Sequence, residues 1–238
     1  KAFKTTQQSG AHWKNDKELF TLMKTYLYTA VVGDIMDEMG LQNQFLPQRI
    51  RPLKENMILV GRAMTVLESD LVSDGCGTHN PALGGSFGLM LDALGDLKED
   101  EVYVCSGSSD TYALVGELMA TRAKQLKAAG FAVNGFIRDT LGILDLEIPT
   151  FSYGSYAQDQ APRGKVLDYR VPILVGQVRV NPGDIIFGDI DGVLAIPQAQ
   201  EKEIIQRAYE KATGEKTVGE AIKAGMSAKA AFEKYGIM

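Results

Sequence analysis

The apolar positions in the first forty residues predict two consecutive helices. From Asp16 they follow a helical spacing, and Asn15 or Asp16 is a suitable N-cap. The apolar stripe of this first helix consists of Leu19, Phe20, Met23, Tyr26 and Leu27. A second helix is predicted over residues 29–39, because Gly40 is a common signal just after a helix C-terminus.

The middle of the chain alternates between strand and helix patterns. Residues 57–67 (MILVGRAMTVL) have β-branched side chains and no helical period, which predicts a strand. A helix after residue 110 would carry Val115, Met119, Ala123 and Leu126 on one stripe and leave Glu117 on another face of its first turn. Further strands are predicted at residues 101–105, 131–137 and 150–153, a helix at 86–94 behind a glycine-rich loop (75–85), and a short helix ending near 146.

The last third predicts short strands followed by helices. Residues 165–180 form a hairpin or a pair of short strands, residues 185–187 and 193–196 flank a turn, and an amphipathic helix occupies residues 198–213. This alternation is typical of the α/β class. We therefore expect a polar arm over residues 1–15 and one α/β domain over residues 16–238, with helices at both ends.

Composition narrows the functional classes. The 238 residues carry a net charge of −5, so there is no basic surplus for a nucleic-acid partner. The two cysteines, Cys76 and Cys105, have neither the number nor the spacing of a disulfide framework or a zinc site. No apolar run approaches the ~20 residues of a membrane span, and residues 1–10 have no apolar core. We expect a cytoplasmic protein with no membrane partner.

The stretch over residues 116–140 is the strongest candidate for chemistry. Twenty residues separate Glu117 from Arg138 and Asp139, which leaves room for one helix, a turn and one strand. Such a unit can place a helix N-terminus and a strand C-terminus at the same edge of a sheet, where ligands usually bind. An arginine binds a carboxylate bidentately, and an aspartate can hold a hard divalent cation. The alternative is that Asp139 caps the next helix and Arg138 forms a surface ion pair.

Three other features are weaker. Residues 106–110 (SGSSD) precede the predicted helix and suit either an anion site or a plain capped turn. Residues 189–192 (DIDG) could bind a metal, but a hairpin turn is favoured. His12 and His79 are the only histidines, so a Ser-His-Asp triad is close to excluded.

Several segments together resemble a known family. They are residues 31–40 (VVGDIMDEMG), 61–66 (GRAMTV), 180–197 (VNPGDIIFGDIDGVLAIP) and 225–236, in addition to the acid, twenty residues and Arg-Asp of Glu117, Arg138 and Asp139. The chain resembles the class II (metal-dependent) 4-hydroxy-4-methyl-2-oxoglutarate / 4-carboxy-4-hydroxy-2-oxoadipate aldolases, a family that also contains the regulator of ribonuclease activity A. The resemblance implies a compact α/β/α sandwich like a phosphohistidine swivelling domain. It also implies a homotrimer or homohexamer, with the C-terminal helices and the active sites at subunit interfaces.

The resemblance also implies residue roles. Arg138 would bind the pyruvyl carboxylate, Asp139 would ligate Mg²⁺ or Mn²⁺, and Glu117 would belong to the metal shell. Backbone amides of Gly116, Glu117 and Leu118 would hold the pyruvyl group, and Glu215 would reach a neighbouring subunit's site. The implied reaction is retro-aldol cleavage of a 4-hydroxy-2-oxo acid to pyruvate, with oxaloacetate decarboxylation through the same enolate, whose charge a divalent cation stabilises as a Lewis acid.

Three positions depart from the family pattern and leave the substrate open. The acid is Glu117 where the aldolases often have Asp, Asn134 precedes Gly135 where Asp is usual, and no acid follows within three positions of Asp139. Two alternatives therefore stand beside the aldolase. One is a non-catalytic regulator of ribonuclease activity that binds a protein partner, and the other is a lyase acting on another sugar-acid-like 2-oxo acid.

Overall fold

The computed structural model describes residues 12–71 and 80–236, without the side chain of Ala82. His79, Cys76 and most of the predicted glycine-rich loop lie outside these residues. The helices are α1 (Asp16–Tyr26), α2 (Thr29–Glu38), α3 (Met90–Asp96), α4 (Glu117–Gln125), α5 (Thr140–Asp145), α6 (Glu201–Lys223) and α7 (Ala228–Tyr235), with a 3₁₀ turn at Pro81–Leu83. In the described part of the chain, no helix is both long and apolar enough to cross a membrane.

Twelve strands are found in the same residues. They are β1 (Arg51–Pro52), β2 (Leu59–Asp70), β3 (Glu101–Ser106), β4 (Ala113–Val115), β5 (Gly130–Val133), β6 (Phe136–Ile137), β7 (Thr150–Ser152), β8 (Gly164–Tyr169), β9 (Ile173–Val175), β10 (Val178–Val180), β11 (Ile185–Asp189) and β12 (Gly192–Ile196). The fold is therefore mixed α/β, as the alternating pattern predicts. The finer comparison with a swivelling domain stays a prediction.

The main sheet has the order β1-β7-β5-β3-β2-β11-β12, and β8 also pairs with β2. The central strands β7, β5, β3 and β2 are parallel, whereas β1, β8, β11 and β12 join antiparallel. The two ends of this order approach each other, since Arg51 of β1 donates hydrogen bonds to the carbonyl oxygens of Ile190 and Asp191 in the β11–β12 turn. The sheet is thus nearly closed on itself.

Alternation along the strands divides the core into an inner and an outer part. In β3, Val102 and Val104 belong to an inner cluster that the β9–β10 hairpin also enters, while Tyr103 and Cys105 pack on the side of α3 and α4. In β11, Ile186 faces the inner cluster and its neighbours face α1, α2 and α6. This period of two is what a sheet covered on both faces requires.

Ion pairs and capping hydrogen bonds attach the terminal helices to the sheet. Asn15 caps α1 by accepting a hydrogen bond from the Glu18 amide at 3.0 Å. Arg62 of β2 donates to Asp16 of α1 at 2.7 Å and also pairs with Glu201 of α6. The Arg62 guanidinium lowers the pKa of the Asp16 carboxyl below its usual value. Helices α1, α2 and α6 thus share one core cluster with β11 and β12.

Several predicted elements differ in the structure. The helix predicted over residues 86–94 begins only at Met90, and residues 165–180 contain parts of three strands, β8, β9 and β10, where a pair was predicted. Residues 113–115 form strand β4, so the helix begins only at Glu117 and does not follow the 106–110 turn directly. The single strand predicted over residues 131–137 is two strands in different sheets, divided at Asn134 and Gly135. The amphipathic helix continues to Lys223, because its apolar contacts extend beyond residue 213 to the buried Val218.

Substitution of Gly130 tests the close approach of β5 to the loop before β7. We expect Gly130→Ala to lower the free energy of unfolding by about 2–4 kcal/mol, because Gly130 has φ +148° and a Cβ there would overlap the Pro149 carbonyl oxygen. Urea unfolding followed by circular dichroism measures the change. Gly219→Ala, in the C-terminal part of α6 where nothing beyond the backbone of the helix itself lies within 4 Å of the added carbon, is the matched control. It should raise stability by roughly 0.5–1 kcal/mol; equal transition midpoints for the two variants would contradict this account.

Candidate functional site

The parallel pairing of β4 with β6 builds the site. Val115 is the register partner of Ile137, and the Arg138 amide donates to the Val115 carbonyl oxygen at 2.9 Å. Because the two strands run in the same direction, the residues that follow them emerge side by side. Gly116 and Glu117 therefore lie next to Arg138 and Asp139, and the predicted convergence is present in the structure.

The Asp139 carboxylate lies at the N-terminus of α4. Its Oδ2 is 3.4 Å from the Glu117 amide nitrogen and 3.8 Å from Arg138 Nε. Asp139 occupies the N-cap position of α5 but makes no side-chain capping hydrogen bond there, and its backbone is left-handed with φ 54° and ψ 39°. The alternative that Asp139 caps the next helix is therefore correct for its backbone position, but its side chain does not cap α5 and faces α4 instead. A left-handed aspartate is tolerated but strained, and such residues cluster at functional sites.

Arg138 lies between two carboxylates. Besides Asp139, its Nη2 is 3.5 Å from Asp159 Oδ1. The guanidinium side chain is 37% exposed and lines a cavity. The alternative that Arg138 forms ion pairs is thus correct. These pairs nevertheless leave part of the Arg138 guanidinium exposed to the cavity, where a ligand can reach it.

Two glycines make room for these side chains. A Cβ at Gly116 would lie 2.9 Å from Asp139 Oδ2 and 3.5 Å from Arg138 Nε. A Cβ at Gly142 of α5 would collide with the Glu117 carboxylate, which therefore lies across the start of that helix. Leu118 follows Glu117 and is 84% exposed at the cavity. The amides of this first helical turn have no partner within the helix and can meet an anion.

A cavity of about 350 Å³ adjoins these residues. Arg138, Asp139, Asp159 and Gln160 are its polar members, while α3, α4 and β4 provide apolar side chains. Glu117 does not line it. Sequence reasoning missed Asp159 and Gln160, which lie in an irregular segment without motif or period; only their polarity beside Pro162 would have marked a loop.

Gln160 connects the cavity wall to a buried acid. Its Nε2 donates to Glu68 Oε2 at 2.5 Å, and Glu68 of β2 is only 2% exposed. Glu68 Oε1 and Gln160 Oε1 are buried without a hydrogen-bond partner. Burial raises the pKa of the Glu68 carboxyl to about 8, so the group is largely neutral at pH 7.

Glu215 lies on α6, away from the residues that line the cavity. Its carboxylate accepts a hydrogen bond from the Tyr28 hydroxyl, and burial raises the pKa of the Glu215 carboxyl. Within one chain the structure does not bring Glu215 to Arg138 and Asp139. Its role at a neighbouring subunit's site stays a prediction.

The two weaker candidates are structural turns. Asp189 accepts hydrogen bonds from the Thr29 amide and hydroxyl, both at 2.7 Å, and from the Asp191 amide at 2.9 Å. It therefore caps α2 and closes the hairpin turn. In the 106–110 turn, the Ser109 amide donates to Asp70 and Asp110 pairs with Arg49.

The described residues contain no ready-made cage for a metal ion. Within residues 12–71 and 80–236, no three or more His, Cys, Asp or Glu side chains are grouped as metal ligands. Asp139 and Glu117 offer hard oxygen donors, which fit a largely hydrated cation such as Mg²⁺. Water and substrate would supply the remaining ligands of such an ion.

The chain is similar to known proteins both in sequence and in structure. A family model described as RraA-like, Aldolase/RraA, matches residues 29–195. A protein of Halalkalibacterium halodurans named "Putative 4-hydroxy-4-methyl-2-oxoglutarate aldolase" is 33% identical, with 86% of this chain and 89% of the relative covered. A crystal structure described as one of novel cellulases from gut-associated microbes is 33% identical with a TM-score of 0.78, and 88% of this chain and 90% of that one are covered.

The fold also recurs in a more distant protein. Streptomyces coelicolor RraAS2, described as an unusual member of the RNase ES inhibitor RraA protein family, has a TM-score of 0.72 at 22% identity. The match covers 86% of this chain and 98% of RraAS2.

The buried Glu68 carboxyl gives a pH test of the cavity wall. Its pKa in the folded state, about 8, is above the value of 4.5 that a solvent-exposed glutamate has. The neutral Glu68 carboxyl contributes its full share to the free energy of unfolding below pH 4.5, and this share is lost as the pH rises from 4.5 through 8. One pKa unit corresponds to about 1.4 kcal/mol, so the loss amounts to a few kcal/mol.

Glu68→Gln should flatten this decline, because the amide stays neutral and can pair with both ends of Gln160. The neighbouring Tyr103 and Cys105 do not interfere, since burial raises the pKa of both groups. Urea titrations from pH 5 to 8 measure the effect. Parallel pH profiles for the variant and the unmodified protein would show that Glu68 titrates normally.

Proposed function

This chain belongs to the RraA-like (Aldolase/RraA) family, and on that premise we propose that it is a divalent-metal-dependent lyase that cleaves a 4-hydroxy-2-oxo acid and releases pyruvate. The observation that carries the proposal is the position of Asp139. Its left-handed backbone directs the carboxylate toward the α4 N-terminus, beside Arg138 and the cavity. The H. halodurans relative also supports a lyase, because its name describes an aldolase.

The pyruvyl half of the substrate binds at Arg138. The guanidinium neutralises the carboxylate and fixes its orientation, and the Leu118 amide at the start of α4 donates to its oxygens. The Glu117 amide would join it when Asp139, now 3.4 Å away, turns to a cation. Asp159, 3.5 Å from Arg138, restrains the guanidinium in the absence of substrate. Lysine does not occur among the described residues that line the cavity, so we assign no Schiff base to it.

Asp139 and Glu117 would hold Mg²⁺ or Mn²⁺, partly through water. The two carboxylates and Asp159 exceed the single positive charge of Arg138, and an anionic substrate adds to that excess, so a cation fits the site electrostatically. When bound, it supplies Lewis-acid stabilisation of the developing enolate charge.

Cleavage then requires one proton to leave and one to return. The 4-hydroxyl proton passes to a base as the C3–C4 bond breaks, and the electron pair of that bond forms the pyruvate enolate. We assign the base to a water oriented by Glu117, because this carboxylate is exposed next to Asp139. Protonation of C3 completes pyruvate. Oxaloacetate would give the same enolate by loss of CO₂.

The assembly of the site between subunits is part of the proposal. We propose a homotrimer or homohexamer in which Glu215 of one chain approaches the cavity of the next. Glu215 lies on α6, and the hydrogen bond from Tyr28, the residue before α2, restrains its carboxylate. The direction of this side chain is therefore set by contacts within its own chain.

A non-catalytic regulator is the second candidate. The description of S. coelicolor RraAS2 as a member of an RNase inhibitor family favours it. However, a surface that only binds a protein has no need of a strained Asp139 at the edge of a cavity. The two candidates differ in one measurable property, which is turnover.

Metal-dependent pyruvate release tests the proposal. With Mg²⁺ or Mn²⁺, we expect the protein to release pyruvate from oxaloacetate and from at least one 4-hydroxy-2-oxo acid, measured by coupling to lactate dehydrogenase. EDTA should abolish the activity and added Mn²⁺ should restore it, because the enolate charge needs the cation. A metal-replete sample that is inactive on the whole panel would leave the regulator as the better proposal.

Asp139→Asn should separate metal binding from folding. Asparagine also tolerates the left-handed backbone, so the fold should persist while kcat falls by about 100-fold or more and Mn²⁺ binding, measured by calorimetry, weakens. Arg138→Ala is the contrasting variant, because it should mainly raise KM for the 2-oxo acid and leave Mn²⁺ binding intact. Near-normal turnover and Mn²⁺ affinity in Asp139→Asn would remove this residue from the site.

A further inference from the structure

The apolar part of the cavity wall specifies what lies beyond the pyruvyl group. Helix α3 contributes Met90, Leu91 and Leu94, and α4 contributes Leu118 and Met119. Leu91 is 63% exposed and Leu118 is 84% exposed, although both are large and apolar. A substrate that covers these side chains would remove apolar surface from water on both partners.

The charge of the cavity is equally restrictive. Among the described residues that line it, Arg138 is the only cation, and it already faces Asp139 and Asp159. The basic residues in the last turn of α4 have other partners, because Arg122 pairs with Gln125 and Lys124 with the Leu146 carbonyl oxygen. Within one chain, one substrate carboxylate has a partner here, and a second carboxylate would meet leucine, methionine or Asp159; the only side chain proposed to come from the next subunit, Glu215, is itself acidic.

A carboxylate that contacts this wall loses part of its hydration and gains no positively charged partner in return, so it is disfavoured there. An aliphatic group of the same shape is favoured instead, and each methylene in an apolar pocket is worth roughly 10- to 200-fold in kcat/KM. A volume of about 350 Å³ accommodates a small molecule with a short branched substituent.

We propose that this site takes 4-hydroxy-2-oxo acids with a single carboxylate and a neutral aliphatic substituent on C4. This inference rests on the proposed lyase function and names its substrate class. It also separates the chain from the H. halodurans relative, whose name specifies a substrate with two carboxylates. Released with pyruvate would be an aliphatic aldehyde or ketone rather than a 2-oxo acid.

A pair of shape-matched substrates tests the proposal. 4-Hydroxy-2-oxoglutarate has a carboxylate on C4, and 4-hydroxy-5-methyl-2-oxohexanoate has an isopropyl group of similar shape there. Pyruvate release from each, with Mg²⁺ present, gives the two values of kcat/KM. We expect the isopropyl compound to be preferred by about 10-fold or more.

Leu91 provides the matched variants, since it is exposed on α3 and can be replaced without disturbing the core. Leu91→Lys places a cation at the wall and should reduce the preference for the isopropyl compound by about 10-fold. Leu91→Gln removes the same apolar contact without adding charge, so it should lower activity on the isopropyl compound without improving activity on the diacid.

Each outcome decides between the two proposals. Equal or better turnover of the diacid by the unmodified protein would overturn the substrate class and leave the lyase intact. Equal effects of Leu91→Lys and Leu91→Gln would overturn the charge argument. No pyruvate from either compound, or from oxaloacetate, would overturn the lyase itself and this inference with it.

Discussion

The site depends on the parallel pairing of two very short strands, β4 and β6. Their register, with Ala113 opposite Phe136 and Val115 opposite Ile137, determines that the chain leaves both strands in the same place. Parallel strands need a long crossover, here α4 and β5, and this is why twenty residues separate Glu117 from Arg138. The spacing that identifies the motif is therefore the length of one helix and one strand of the main sheet.

Asn134 shows how the crossover returns from the main sheet to this small one. Its amide donates to Ser106 Oγ at 2.9 Å and accepts from the Tyr153 hydroxyl at 2.7 Å, so both ends of the side chain are used. Gly135 follows, and a Cβ there would lie 2.9 Å from the Leu114 side chain. The departure from the family's usual Asp at residue 134 thus has a structural explanation, because a neutral amide can both donate and accept where a carboxylate can only accept.

The sequence predicted the elements whose apolar pattern is long enough to show a period. Helices α1 and α2, strand β2 and the β11–β12 hairpin are within a few residues of expectation. Strand β4 could not be recognised, because Ala113–Val115 continues smoothly into a helical stripe. The convergence of Glu117, Arg138 and Asp139 followed from the crossover geometry, whereas Asp159 and Gln160 reach the cavity through tertiary folding of an irregular segment. A pattern within the sequence contains no information about which distant loop will face a given strand end.

The irregular segment with Asp159 and Gln160 links the Arg138 guanidinium to a residue in the core. Glu68 of β2 holds Gln160, the adjacent Asp159 pairs with Arg138, and Arg138 pairs in turn with Asp139. The Gln160 hydrogen bond favours the ionised form of Glu68, whereas burial favours the neutral form and is the larger effect. The charge of Glu68 is therefore decided by its place in the core and not by its contact with the cavity wall. The position of the guanidinium thus depends on packing around β2, at a distance from any residue that touches the substrate.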